Sequence, residues 1–229
     1  MKDLKMELSI SDLSKYLGVT VDTIERWVRQ GKLPVSGKPS DYRFRKADLE
    51  KWAAIHNIRL NFSGRESIVK KNEADVLLSQ AVQNGGIHFD ITGNEVKSVL
   101  KSSIERIFNI PDDFKTDLFE RLIEREKAFS TGIGSGMAIP HPREPLNYLN
   151  QPLVAICFLS NPVEYHAIDH LPVSVLFLIL CPSLKLHLNL LSTLSFCLKN
   201  SQFVDFLNSR PEPGILIEQI EKLQATCLV

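Results

Sequence analysis

Two short runs, Leu153 to Leu159 and Val173 to Leu180, constrain the fold more than any other part of the chain. Both are apolar at nearly every position and rich in strand-forming residues, which suits interior strands covered on both faces. A sheet of that kind needs helices above and below it, and the surrounding sequence supplies them. Leu77, Leu78, Ala81 and Val82 share one helical face before the break at Gly85-Gly86, after which Gly86 to Ile91 reads as a strand. Glu95 to Phe108 carries Val96, Val99, Leu100, Ile104 and Ile107 at helical spacing. Pro111 opens a further helix striped by Phe114, Leu118, Leu122 and Ile123, and Leu186 to Leu198 is helical again. This order predicts a layered α/β domain over 73–229, with a mixed sheet flanked by helices.

The first 60 residues have another pattern. Ser9 is placed to cap a helix whose apolar residues Ile10, Leu13 and Leu17 share a face, with Asp12 in its first turn and Gly18 as its stop. Thr20 caps a second helix, Val21 to Gln30, in which Ile24, Trp27 and Val28 face inward, Arg26 and Arg29 remain outside, and Gly31 ends it. Two helices one tight turn apart, the second polar and Arg-bearing, have the geometry that sets a recognition helix in a DNA major groove. Val35 to Arg45 then reads as a hairpin turning at Ser36 to Ser40, a wing, followed by a third helix from Lys46 through Trp52. Asn61 to Asn72 has mixed polarity and little periodicity, as a linker does. The expected organisation is a small winged helix-turn-helix domain at 1–60, a linker at 61–72 and the α/β domain at 73–229.

The runs Leu17 to Pro34 and Tyr42 to Trp52 resemble the excisionase and MerR-type winged-helix family, a match covering roughly Leu8 to Trp52. The resemblance implies DNA binding. From their side chains, Thr20, Thr23, Arg26 and Arg29 are candidates for contacts with bases or phosphates, and Lys38, Arg43 and Arg45 for holding the backbone from the wing. Charge agrees in sign. The chain has 27 cations and 27 anions, yet its first 60 residues hold 12 cations against 8 anions. That excess is modest for a DNA binder, so dimerisation through the larger domain, or adjacent partners on DNA, is expected to be needed for useful affinity. The competing reading is a solvated basic domain used for protein contacts.

Between the second long helix and the first interior strand lies Ser130-Thr131-Gly132-Ile133-Gly134-Ser135-Gly136-Met137-Ala138-Ile139-Pro140-His141. Gly132, Gly134 and Gly136 allow tight turns that bring backbone N–H groups close to an anion. Read together with Arg125-Glu126 before it, the run resembles the phosphoacceptor motif of enzyme IIA domains of the phosphoenolpyruvate-dependent phosphotransferase system, the fructose/mannitol type and its nitrogen-regulatory branch most of all. Ala167-Ile168-Asp169 with Pro172-Val173, and His187-Leu188 before Leu191-Ser192, extend the resemblance over nearly all of Glu73 to Leu223. It implies that His141 is the phosphoacceptor and that Arg125 and His187 support it. A neutral imidazole is a competent nucleophile, and a guanidinium can pair with two oxygens of a transferring phosphoryl group. Ser130, Thr131, Gly132, Gly134 and Gly136 would form the phosphate-binding loop. Phe129 stands where many members carry Gly, and Ser135 where Asn or Asp is frequent, departures that bear on partner preference.

The resemblance implies a phosphohistidine carrier rather than a stand-alone turnover enzyme, with an HPr-like phosphocarrier protein as donor and DNA as a second partner. The alternatives are a sugar-transport component that passes phosphate from His141 to a IIB protein, and a transcription factor whose body has lost phosphotransfer. A homodimer is compatible with all three. No cofactor is expected. His166 and His170 are four apart, but the segment reads as loop and offers no third ligand at a recognisable spacing, so no metal site is expected either. The charged amino terminus is unlike a signal peptide, and the longest apolar run, Leu171 to Cys181, is too short to span a bilayer, which points to a cytoplasmic protein without membrane insertion. Cys157, Cys181, Cys197 and Cys227 form no Cys-x-x-Cys pair and are expected as reduced thiols.

Overall fold

The computed structural model describes residues 7–38, 41–56, 58, 60, 62 and 76–227. After the two-residue strand β1 (Glu7–Leu8), Ser9 caps α1 (Ile10–Leu17): its hydroxyl accepts from the Asp12 N–H at 3.2 Å while the Asp12 carboxylate accepts from the Ser9 N–H at 3.0 Å. This reciprocal pairing satisfies two donors that a helix start leaves free. Gly18 ends α1 in the left-handed conformation, and Thr20 caps α2 (Val21–Arg29). Strands β2 (Ser36–Lys38) and β3 (Asp41–Arg45) form the expected wing, with β1 paired to the other edge of β3. Ser36, Gly37 and Lys38 belong to the strand rather than to the turn; Pro39 and Ser40 lie outside the described residues. The third helix, α3 (Lys46–Ile55), runs three residues beyond the expected end at Trp52.

Most of the expected linker lies outside the described residues, but Phe62 packs edge-on against Tyr16, ring centres 5.4 Å apart, and so belongs with the head. The body begins with α4 (Leu78–Gly85), which leaves Leu77 exposed as its N-cap residue, and β4 (Ile87–Ile91). Helices α5 (Val96–Arg106) and α6 (Asp112–Ala128) come next, then β5 (Gly132–Gly134), β6 (Met137–Ala138), β7 (Leu153–Val163) and β8 (Val173–Leu180). The chain closes with α7 (Leu184–Leu198), α8 (Ser201–Asn208) and α9 (Pro213–Cys227), of which the last two were not anticipated from the sequence.

The sheet is mixed, in the order β4-β7-β8-β6-β5, with β4 parallel to β7 and β6 parallel to β8. Alternation along the two central strands divides the core. Ala155, Cys157, Leu159, Leu176, Leu178 and Leu180 join the layer holding α5, α6 and the head, while Val154, Ile156, Phe158, Val175, Phe177 and Ile179 join the layer of α4, α7, α8 and α9. Both faces being covered explains why these strands are apolar throughout. Cys157, Cys181 and Cys197 are buried free thiols, and burial pushes the first two up to about 12. Cys227 is free and partly buried.

The head packs directly on the body, through α2 and the turn before it. Trp27 stacks at 4.5 Å on Phe114, which stacks at 4.2 Å on Tyr148, so one apolar cluster runs from the head core into the body. Around it, Trp27 Nε1 donates to the Asp113 carbonyl at 3.1 Å and the Thr23 hydroxyl donates to the buried Asp117 carboxylate at 3.4 Å. Arg121 donates to the Gly18 carbonyl and, at 2.7 Å, to Asp117; Lys32 pairs with Asp113, and Arg26 with Glu120 at 3.7 Å. The outward placement expected for Arg26 is therefore corrected, and Thr23, a candidate for DNA contacts, faces the body. Thr23 is only 2% exposed and Arg26 is half-buried, because α6 offers both of them carboxylate partners.

Candidate functional site

The glycine-rich segment is a β-hairpin rather than an open loop. Gly132 pairs with Ala138 and Gly134 with Met137, and Gly134, Ser135 and Gly136 all take positive φ at the tip. Side chains from three directions brace it. The Glu126 carboxylate accepts from the Thr131 N–H at 2.7 Å and the Thr131 hydroxyl at 2.6 Å, and Asp169 accepts from the Ser135 N–H at 2.7 Å. The Ser130 hydroxyl donates to the Tyr165 carbonyl at 2.5 Å and accepts from the Gly132 N–H at 3.0 Å. Gly132 lies so close to Ala167 that a Cβ would stand 2.8 Å from its Cα.

Ser130, Thr131, Gly132, Gly134 and Gly136, expected as a phosphate-binding loop, lie in or beside this hairpin. The N–H groups of Thr131, Gly132 and Ser135 are already engaged within the protein, so the hairpin is a rigid support for the Ile139-Pro140-His141 segment. Glu126 and Asp169 are the bracing residues that sequence reasoning did not assign. The signal was present only as their place in the Arg125-Glu126 and Ala167-Ile168-Asp169 motifs.

The hairpin delivers His141 to one edge of the sheet. β6 runs parallel to β8, and the chain leaving β6 is held through Pro140, whose carbonyl accepts from the Ile179 N–H at 3.0 Å. The chain leaving β8 enters α7, capped by Ser183, and presents His187 from its first turns. Two imidazoles from adjacent parallel strand ends thus meet with ring centres 4.9 Å apart. Such a place, beyond the carboxyl ends of neighbouring parallel strands, is where α/β sheets assemble sites.

His141 Nδ1 lies 2.8 Å from the Ile139 carbonyl oxygen. A carbonyl only accepts, so Nδ1 carries the proton and Nε2 keeps its lone pair. Burial holds the His141 pKa below the ordinary histidine value, with the nearby Arg125 charge acting in the same direction, and the same two causes with His141 itself push His187 down to about 4. Both rings are neutral near pH 7. Arg125, in the last turn of α6, donates to the Phe129 carbonyl at 2.7 Å and brings a fixed positive charge to the pair. A neutral nucleophilic nitrogen, a second neutral ring able to donate a proton to an oxygen, and a guanidinium can together accept a phosphoryl group and stabilise its charge. Exposed Phe129, Ile133, Ile168, Leu184 and Leu188 are distributed over the segments that build this site.

The wing residues are elsewhere. Arg45 is exposed, Arg43 pairs with Asp41 at 3.0 Å, and Thr20 and Arg29 are exposed on α2. Among the described residues no His, Cys, Asp and Glu cluster could hold a metal, and no helix is long and apolar enough to cross a membrane. His166 and His170 are exposed and in left-handed conformation, and His88 Nε2 lies 2.9 Å from the Gly85 carbonyl oxygen.

The fold and the paired imidazoles define an α/β protein of the enzyme IIA class carrying a helix-turn-helix head. Residues 80–222 match the family model for the phosphoenolpyruvate-dependent sugar phosphotransferase system, EIIA 2, and the chain belongs to that family; residues 7–54 match a helix-turn-helix domain. The chain is 32% identical over 152 residues to a nitrogen regulatory protein of Pseudomonas aeruginosa, covering 65% of this chain and 97% of that one. It is 43% identical over 77 residues to the nitrogen regulatory protein of Escherichia coli, covering 33% of this chain and 47% of the other. The solved structure of the nitrogen regulatory protein IIA-Ntr from Neisseria meningitidis superposes with a TM-score of 0.51 at 26% identity, covering 62% of this chain and 94% of that one.

Proposed function

We propose that this chain is a cytoplasmic phosphoryl-accepting regulator of the phosphotransferase system, phosphorylated on His141 by an HPr-like carrier and coupled to DNA binding by its head. The reading takes 1–60 as the DNA-binding domain, 61–72 as the joining segment and 73–229 as the phosphoacceptor domain. The observation that carries it is the 2.8 Å contact between His141 Nδ1 and the Ile139 carbonyl, which leaves Nε2 as the free nucleophile beside His187. In the reaction the Nε2 lone pair forms the new bond to phosphorus as the bond to the donor nitrogen breaks. The resulting phosphoimidazolium keeps its proton on Nδ1, which goes on donating to the Ile139 carbonyl. Arg125 and a ring N–H of His187 neutralise charge on the phosphoryl oxygens, which is where a loose transition state needs it. The added group is doubly charged and sits at the far end of α6 from the head, so the helix is a physical link between modification and DNA binding.

Incubation with phosphoenolpyruvate, enzyme I and HPr, followed by intact-mass measurement, tests the assignment. One phosphate should be gained and lost again in His141→Ala. No gain, or a gain that survives the substitution, overturns it. Onward transfer to the cysteine of a IIB protein would make the chain a transport intermediate instead.

A further inference from the structure

The recognition helix of the head and the long helix of the body meet through charges. On α6, Asp113, Asp117 and Glu120 are spaced by four and three residues and so share one face. Each has a partner on the head: Asp113 holds Lys32, Asp117 holds the Thr23 hydroxyl, and Glu120 holds Arg26. Thr23 and Arg26 are two of the four α2 residues placed to read DNA, and a row of carboxylates offers them the negative oxygens that a phosphate backbone would. We propose that this acidic face of α6 occupies the DNA-reading face of the head and competes with DNA for it, so that the docked chain is the closed form of the regulator. The inference rests on the reading of the head as a DNA binder.

Three features make the contact exchangeable. Arg26 Nη2 is buried with no hydrogen-bond partner among the described residues, so docking leaves a donor of the recognition helix unsatisfied. The Asp117–Arg121 pair is largely desolvated, and burial raises the Asp117 pKa despite the adjacent guanidinium, so part of the attraction offsets the loss of hydration. Thr20, Arg29 and Arg45 remain exposed, which leaves DNA a foothold on the closed form.

The test uses the full chain and a pool of short duplex DNA fragments at fixed salt. Asp113→Asn with Glu120→Gln weakens docking without touching a head residue. It should bind DNA roughly five- to tenfold more tightly, as the open fraction rises. Glu218→Gln with Glu221→Gln changes net charge equally on α9, on the other side of the sheet, and should leave binding where it was. In the unaltered chain, DNA should also release the Trp27 indole N–H, now donated to the Asp113 carbonyl, to fast hydrogen exchange. Equal binding by the parent and the docking variant, or an indole that stays protected in the DNA complex, overturns the competition while sparing the head as a DNA binder. No binding by any of the three proteins overturns both.

Discussion

At His141 one backbone oxygen decides the chemistry. With Nδ1 tied to the Ile139 carbonyl, the ring has a single tautomer and a single nucleophilic nitrogen. Because burial lowers the His141 pKa, the imidazole remains unprotonated at pH values where an ordinary histidine is half charged. The rate of phosphate uptake from the carrier should therefore hold down to below pH 6.5, and an acid limb at or above the ordinary value would contradict the burial argument. In the proposed reaction His187 contributes a donor, not the acceptor atom. Its replacement by Ala should slow phosphate uptake by about 10²-fold, as for loss of one donor to a developing oxyanion, while mass mapping still finds the group on His141. His141 and Arg125 could be singled out as candidates because their motif is local in sequence. The half-burial of Arg26 was not legible, since Glu120, its partner, is separated from it by the whole of the wing, α3 to α5 and the first half of α6.

Elements show the same division. Caps at Ser9 and Thr20 and the apolar stripes of α5 and α6 could be read directly, as each depends on residues within a turn or two. The hairpin of β5 and β6 escaped because its strands are only three and two residues long, and it is held by Glu126 and Asp169 from outside. Gly132→Ala should force β5 off the Ala167 backbone, destabilising the protein by about 2 kcal/mol, the range for overpacking, with phosphate uptake falling alongside. Chemical denaturation measures the first and the mass assay the second. In α6 the buried Asp117 is held by Arg121 and Thr23. Asp117→Ala leaves the half-buried guanidinium uncompensated and should lower stability by about 3 kcal/mol, whereas an unchanged denaturation midpoint would mean that the pair is solvated in solution.

For the whole molecule, the two neutral histidines link stability to acid. Both have pKa values lowered by folding, so the folded state binds fewer protons than the unfolded one once pH falls below about 6.5. Stability should decline from there toward pH 4, the level to which His187 is pushed, and His187→Asn should flatten that part of the curve. Thermal melts across the range would measure it; a slope unchanged by the substitution would remove His187 as its source.

By itself the sequence determined the head helices, the helices and central strands of the body up to α7, the layered α/β class and the resemblance of the run ending at His141 to a phosphoacceptor motif, because helix caps, periodicity and local motifs are properties of neighbouring residues. Only the tertiary structure decided that β7 and β8 split their side chains between two core layers, that the glycine run is a braced hairpin, and that Thr23 and Arg26 face α6. Those outcomes depend on which surfaces meet, and Thr23 with Asp117, ninety-four residues apart, meet only when head and body pack together.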